Sequence, residues 1–173
     1  MTQYRKIVLR CFTPIEDDYT AGGAITPGML VEENSDGDVV AHNSAGQNAE
    51  RKFALEDINQ GRGVNDAYDA TIYNKVRVGT FRAGDKIAAI LVDGYAYTKG
   101  MFLESNGAGL LQPHVADADP LHDESAVDPL TTSYTMQIVA KCKETLDLSS
   151  SSGAESEDSS GTGYNKRVCV EIV

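Results

Sequence analysis

Glu32, Asn34, Asp36 and Gly37 occupy places one, three, five and six of a calcium-binding loop, where oxygen-bearing side chains alternate and a glycine makes the sharp turn. Place twelve of such a loop requires a bidentate Glu and is Asn43 here, and the related stretch that begins at Glu104 has Ala108 at the fifth place. A polar turn explains the pattern better than a bound ion. A second group, His114, Asp117, Asp119, His122, Asp123 and Glu124, offers metal-ligating side chains but reproduces no zinc or calcium spacing, so a solvated acidic loop is expected. Neither a metal nor a cofactor is expected. Cys11, Cys142 and Cys169 lie in apolar-alternating segments without C-x-x-C spacing, and an odd number does not suit a disulfide framework; they are read as small buried side chains. No nucleophile elbow, Walker loop or dinucleotide fingerprint is present, and the three histidines have no triad context.

One loop carries a weak catalytic echo. Gly63-Val-Asn-Asp-Ala-Tyr68 resembles the Gly-x-Ile-Asp-x-x-Tyr segment of trimeric all-β nucleotide diphosphohydrolases of the deoxyuridine triphosphatase type. That resemblance implies that Asp66 activates a water and that Tyr68 stacks near the sugar. One residue is missing between Asp66 and Tyr68, and neither the serine-bearing phosphate motif nor the glycine-rich arm of those enzymes occurs. The alternative function is accordingly a small β-barrel hydrolase or ligand-binding domain with a cleft near Asp66 and Tyr68.

The elements that must position these residues are strands. Thr26 to His42 and Thr98 to His114 are two copies of one stretch, at an offset of 98 − 26 = 72 that repeats Thr, Gly, Met, Glu, Asn, Gly and His. Each copy reads as a short apolar strand, an Asn/Asp/Gly turn and a second strand. Gly37 and Gly109 supply the positive φ, and Asn34 and Asn106 close the turn through their side chains. Met29, Leu30, Met101 and Phe102 are expected to be buried together. Turn-forming residues punctuate the chain throughout, and no 3.6-residue apolar period lasts three turns. The expected class is all-β, a compact β-barrel or β-sandwich built from hairpins with long irregular loops.

The chain has 173 residues and 41% apolar content, enough for one core. Residues 1–14 read as an N-terminal arm or edge strand, with Ile7, Leu9 and Cys11 on one face and Lys6, Val8 and Arg10 on the other. Residues 15–173 form a single β-rich domain. Lys52 to Asp57, Val76 to Thr80 and Lys86 to Val92 are expected strands, the last two joined through Arg82-Ala-Gly-Asp85 as a hairpin. Residues 134–148 and 164–173 form a terminal hairpin whose serine-rich connection, 149–163, cannot bury enough apolar surface to order itself.

A net charge of −11 repels phosphate backbones, so nucleic acid is not an expected partner. No apolar run is long enough for a membrane-spanning helix, and the opening Met-Thr-Gln-Tyr-Arg-Lys has no signal-peptide core, so the product is expected to stay in the cytoplasm where it is made. Against this acidic background Arg5, Lys6 and Arg10 are the densest positive cluster before residue 50.

Gly22 to Glu32, the Arg-Lys-Phe-Ala-Leu-Glu run at Arg51 to Glu56, the loop at Gly61 to Tyr68 and Gly-Asp-Lys-Ile at Gly84 to Ile87 together resemble small head decoration, or cement, proteins of tailed bacteriophages. The similarity covers about residues 20–113 and has no catalytic signature. It implies a non-enzymatic homotrimer on the outer capsid surface of the virion, clamping subunits of the major capsid protein after head expansion. In that setting Arg5, Lys6 and Arg10 form a capsid-binding arm, and Arg62, Asn65, Asp66 and Tyr68 belong to a loop that contacts other protomers or the capsid.

Overall fold

In a computed structural model the described residues are 4–11, 15–71, 74–114, 136–150 and 167–173. The serine-rich residues 151–163 and the acidic segment 117–128 lie outside them. The strands are β1 (Val8–Arg10), β2 (Ile15–Thr20), β3 (Val31–Glu33), β4 (Val39–Ala41), β5 (Lys52–Ala54), β6 (Lys75–Thr80), β7 (Lys86–Ile90), β8 (Ala96–Tyr97), β9 (Phe102–Ser105), β10 (Leu111–Pro113), β11 (Ile138–Cys142), β12 (Leu146–Asp147) and β13 (Arg167–Ile172). The fold is all-β and sandwich-like, and the sheets do not close into a barrel. Sheet orders are β1-β7-β13-β11-β9-β10, β2-β6-β5, β3-β4 and β12-β8.

The duplication extends far beyond the two similar stretches. Val31 opposes Ala41 in the first hairpin, and Leu103 opposes Pro113 in the second. Lys52 opposes Thr80 across β5 and β6; Ala140 opposes Ile172 across β11 and β13. On the far side of β6 lies β2, and on the far side of β13 lies β7, again in matching register. Main-chain bonds outside the ladders match as well. Leu55 N donates to Arg77 O and Lys143 N to Cys169 O; Phe81 N donates to Arg51 O and Val173 N to Val139 O; Ala54 N donates to Met29 O and Cys142 N to Met101 O. The chain is therefore two tandem copies of one five-stranded unit, β2–β6 and then β7, β9, β10, β11 and β13. Because β6 and β7 belong to different units, Arg82 to Asp85 is the linker between units and not the turn of a hairpin: Gly84 N donates to Ile172 O, and Asp85 O accepts from Ile172 N.

Most residues common to both stretches have a main-chain task. Thr26 O and Thr98 O accept from the amides of Met29 and Met101, and Gly28 and Gly100 adopt φ of 96° and 99°. Asn34 Oδ1 accepts from the amides of Asp36 and Asp38, and Asn106 Oδ1 from those of Ala108 and Leu110. This Asx geometry fixes both turns and accounts for the calcium-loop spacing without an ion. Gly37 and Gly109 close the turns at φ of 82° and 75°.

Each unit packs a matching core. Val31, Val39, Val76 and Val78 fill the first, and Leu103, Leu111, Val168 and Val170 fill the second. The four apolar hairpin residues do not share one cluster, however. Met29 and Leu30 are buried in different cores, Met101 only borders one, and Phe102 is 45% exposed beneath the ammonium of Lys141. The reason is a head-to-tail contact between units: the second hairpin's turn covers Leu30, and nothing among the described residues covers Phe102 in the same way. Of the cysteines, Cys142 is buried, whereas Cys11 and Cys169 are only half-buried.

Gly37 and Gly109 have equal conformational demands but unequal space. A Cβ on Gly109 meets Ala41 Cβ at 3.0 Å and Leu30 O at 3.1 Å, while one on Gly37 has only Glu33 Oε1 at 4.0 Å. Gly37→Ala should therefore cost about 1–2 kcal/mol, the left-handed penalty alone, and Gly109→Ala roughly twice as much. Urea midpoints of the two variants check this; equal losses would show that the units do not meet at Gly109.

Candidate functional site

The N-terminal arm is an edge strand with a buried anchor. Val8 opposes Ile87 and Arg10 opposes Lys86, with a register shift at Leu9 that breaks the simple alternation of faces. Ile7 is fully buried, its carbonyl accepts from Ala88 N at 2.8 Å, and its amide donates to Glu56 Oε2 at 3.0 Å. Tyr4 donates its hydroxyl to the Glu144 carboxylate, and burial together with that carboxylate pushes its pKa up. With the apolar side of the arm fixed, Arg5, Lys6 and Arg10 are all exposed. Deleting residues 1–10 removes a core side chain as well as three charges.

Beside the arm runs a groove of about 570 Å³, lined by Lys6, Val8, Glu16, Leu55, Glu56, Ile58, Asn59 and Arg77. Glu16 and Arg77 are joined at 3.1 Å. On its rim Ile58 is 70% exposed, the most exposed large apolar side chain among the described residues. Ile58 is presented rigidly, because it opens a single 3-10 turn capped at both ends. The Asp57 carboxylate accepts from Asn59 N and Gln60 N, and Gly61 ends the turn at φ of 71° with its amide on Ile58 O. The pattern Asp-Ile-Asn-Gln-Gly, an N-cap and a C-cap glycine around one apolar residue, is the sequence signal for this turn.

The loop at 61–68 is built for support. Tyr68 is fully buried in the first core and donates to Leu55 O at 2.8 Å, so its ring is not available to stack on a sugar or to touch a partner. Desolvation, reinforced by Asp57, pushes its phenol pKa up. Asp66 accepts from Gly63 N at 2.7 Å and Asn65 Oδ1 from Arg167 Nη1 at 3.0 Å; both residues are exposed, and Arg62 is half-buried. The structure thus buries Tyr68 and engages Asn65 and Asp66 in contacts within the protomer. It also adds Arg167, on β13, whose guanidinium reaches Pro27 O at 2.8 Å and also meets Val64 O. A buried arginine tying unit two to two loops of unit one leaves no mark in a strand pattern; its counterpart Lys75 is exposed.

His42 and His114 also differ despite equal places in the repeat. His42 is buried with Nδ1 2.7 Å from Ser105 Oγ and Nε2 3.1 Å from Asn48 O, which joins the units. His114 Nδ1 lies 2.5 Å from Glu104 Oε2. Among the described residues no three His, Cys, Asp or Glu side chains form a metal-binding group. A scan of family models finds no match for the chain, and neither does a search of curated proteins.

Burial raises the pKa of both Tyr68 and Tyr97 above the ordinary 10.0. A phenol whose folded pKa exceeds its unfolded value contributes stability that is complete below the unfolded pKa and is lost as pH rises beyond it. Unfolding free energy should therefore fall steadily above pH 10, and less steeply in Tyr68→Phe, which itself costs about 1 kcal/mol at neutral pH. Urea titrations between neutral and alkaline pH measure both slopes.

Proposed function

We propose that the chain is a non-enzymatic head decoration protein that binds the outer surface of an expanded phage head and bridges subunits of the major capsid protein. The observation that carries this reading is the face formed by the arm and groove. On a chain of net charge −11, the exposed basic arm contributes Lys6 and Val8 to a groove of mixed polar and apolar lining, beside a capped turn that presents an exposed isoleucine. Mixed basic and apolar character on an acidic molecule suits a protein partner: the charges guide encounter and register, and Ile58 provides area to desolvate. The order of turn glycines and strand patterns between residues 20 and 113, similar to decoration proteins, supports the same reading.

Protomers act as a homotrimer on the shell, because three linked weak contacts gain strongly from effective concentration. The protein is made in the host cytoplasm and resides on the virion exterior. The hydrolase alternative loses its support in the loop, since Tyr68 is packed in the core and Asp66 holds a turn.

Cosedimentation of the purified protein with expanded and unexpanded heads tests the reading. Binding should saturate at a fixed number of sites on expanded heads. Arg5→Glu/Lys6→Glu/Arg10→Glu should remain folded and lose roughly tenfold or more in affinity, with a reduced salt dependence. Absence of saturable binding, or wild-type affinity in the triple variant, contradicts the proposal.

A further inference from the structure

The two units are equivalent strand for strand, but among the described residues only one has its outer edge covered. In unit two the edge is β7, and β1 lies against it antiparallel, with Ala88 N bonded to Ile7 O. In unit one the equivalent strand is β2, whose matching positions are Asp17 for Ile87 and Asp18 for Ala88. Ala21 N donates to Asn74 O, on the β6 side, and Gly22 N to Val39 O, on the other. Strand alternation then directs the amides and carbonyls of Glu16, Asp18 and Thr20 away from β6. Among the described residues no strand other than β6 pairs with β2. An edge of this kind is a template for another strand.

We infer that the β2 edge receives an extended, lysine- or arginine-bearing segment of the major capsid protein, added antiparallel as β1 is added to β7. The identity of the donor protein rests on the decoration reading; the edge geometry does not. Two features choose the occupant. Glu16, Asp17 and Asp18 are consecutive and exposed, so they repel an acidic strand and favour a basic one. The groove also borders the edge, with Glu16 lining both, so an apolar side chain of the added strand reaches Val8, Leu55 and Ile58. Main-chain bonds supply affinity and the groove supplies selectivity.

Asp18→Pro removes an outward amide while leaving the β6 ladder intact, a place where an edge strand tolerates proline. Cosedimentation with expanded heads should show a loss of roughly tenfold or more for Asp18→Pro, about one main-chain hydrogen bond, and a larger loss for the charge reversal Asp18→Lys. In the wild-type protein, hydrogen exchange at Asp18 and Thr20 should slow on head binding. Folded Asp18→Pro with wild-type affinity, or unchanged exchange at both amides in the bound protein, overturns strand addition and leaves decoration standing. If Asp18→Pro does not fold, the exchange measurement decides alone. Failure of the wild-type protein to bind heads removes both.

Discussion

Everything in the relative placement of the two units depends on one glycine entering a strand pair. In the second hairpin His114 N donates to Phe102 O, and in the first the same bond runs from His42 N to Leu30 O. In the first, however, Gly109 is inserted beside it: Leu30 N donates to Gly109 O at 2.8 Å, and Gly109 N donates to His42 O at 3.1 Å. Only a residue without a side chain approaches so closely at φ of 75°. His42 to Ser105 and Arg167 to Pro27 and Asn65 then secure the joint on either side. Buried polar groups that bridge units in this way are fully effective only when each finds its partner, which gives the joint one geometry.

The two units differ at the ends that this head-to-tail contact involves. Where unit one has Leu30, Phe53 and Leu55, all buried against the second core, the equivalent positions of unit two are Phe102, Lys141 and Lys143. Lys141 lies over the Phe102 ring, and Lys143 pairs with Glu171 at 2.9 Å. Two lysines on the exposed end of a repeat oppose the addition of a third unit, as charges do on natural sheet edges. The arm lies on β7, the outer strand of unit two, and its groove reaches Glu16 on β2, the outer strand of unit one.

Much of this was legible in the sequence because turn chemistry is local. Asn34, Gly37, Asn106 and Gly109 do what their residue types dictate, and the all-β class follows from their spacing. The larger duplication was hidden, since strand cores tolerate exchange among Val, Leu and Ala once the pattern is kept, as Val31/Leu103 and Ala54/Cys142 illustrate. Phe102 misleads for the opposite reason: its type signals burial, but exposure depends on a contact that exists for only one of two equal sites. Tyr68 misleads through a short motif whose meaning depends on context that strand patterns do not carry. The basic arm was visible as charge, whereas its anchor Ile7 and the exposed Ile58 depend on packing across distant segments.

We propose that this pair of β units binds a phage shell through the face around the arm and the β2 edge. A cryo-electron microscopy reconstruction of expanded heads incubated with the protein tests that reading. The predicted result is density on the outer surface at three-fold positions, with Arg5, Lys6, Arg10, Ile58 and β2 toward the shell and the lysine-bearing end of unit two away from it. Bare heads, or protomers attached singly through the Phe102 and Lys141 face, would contradict it.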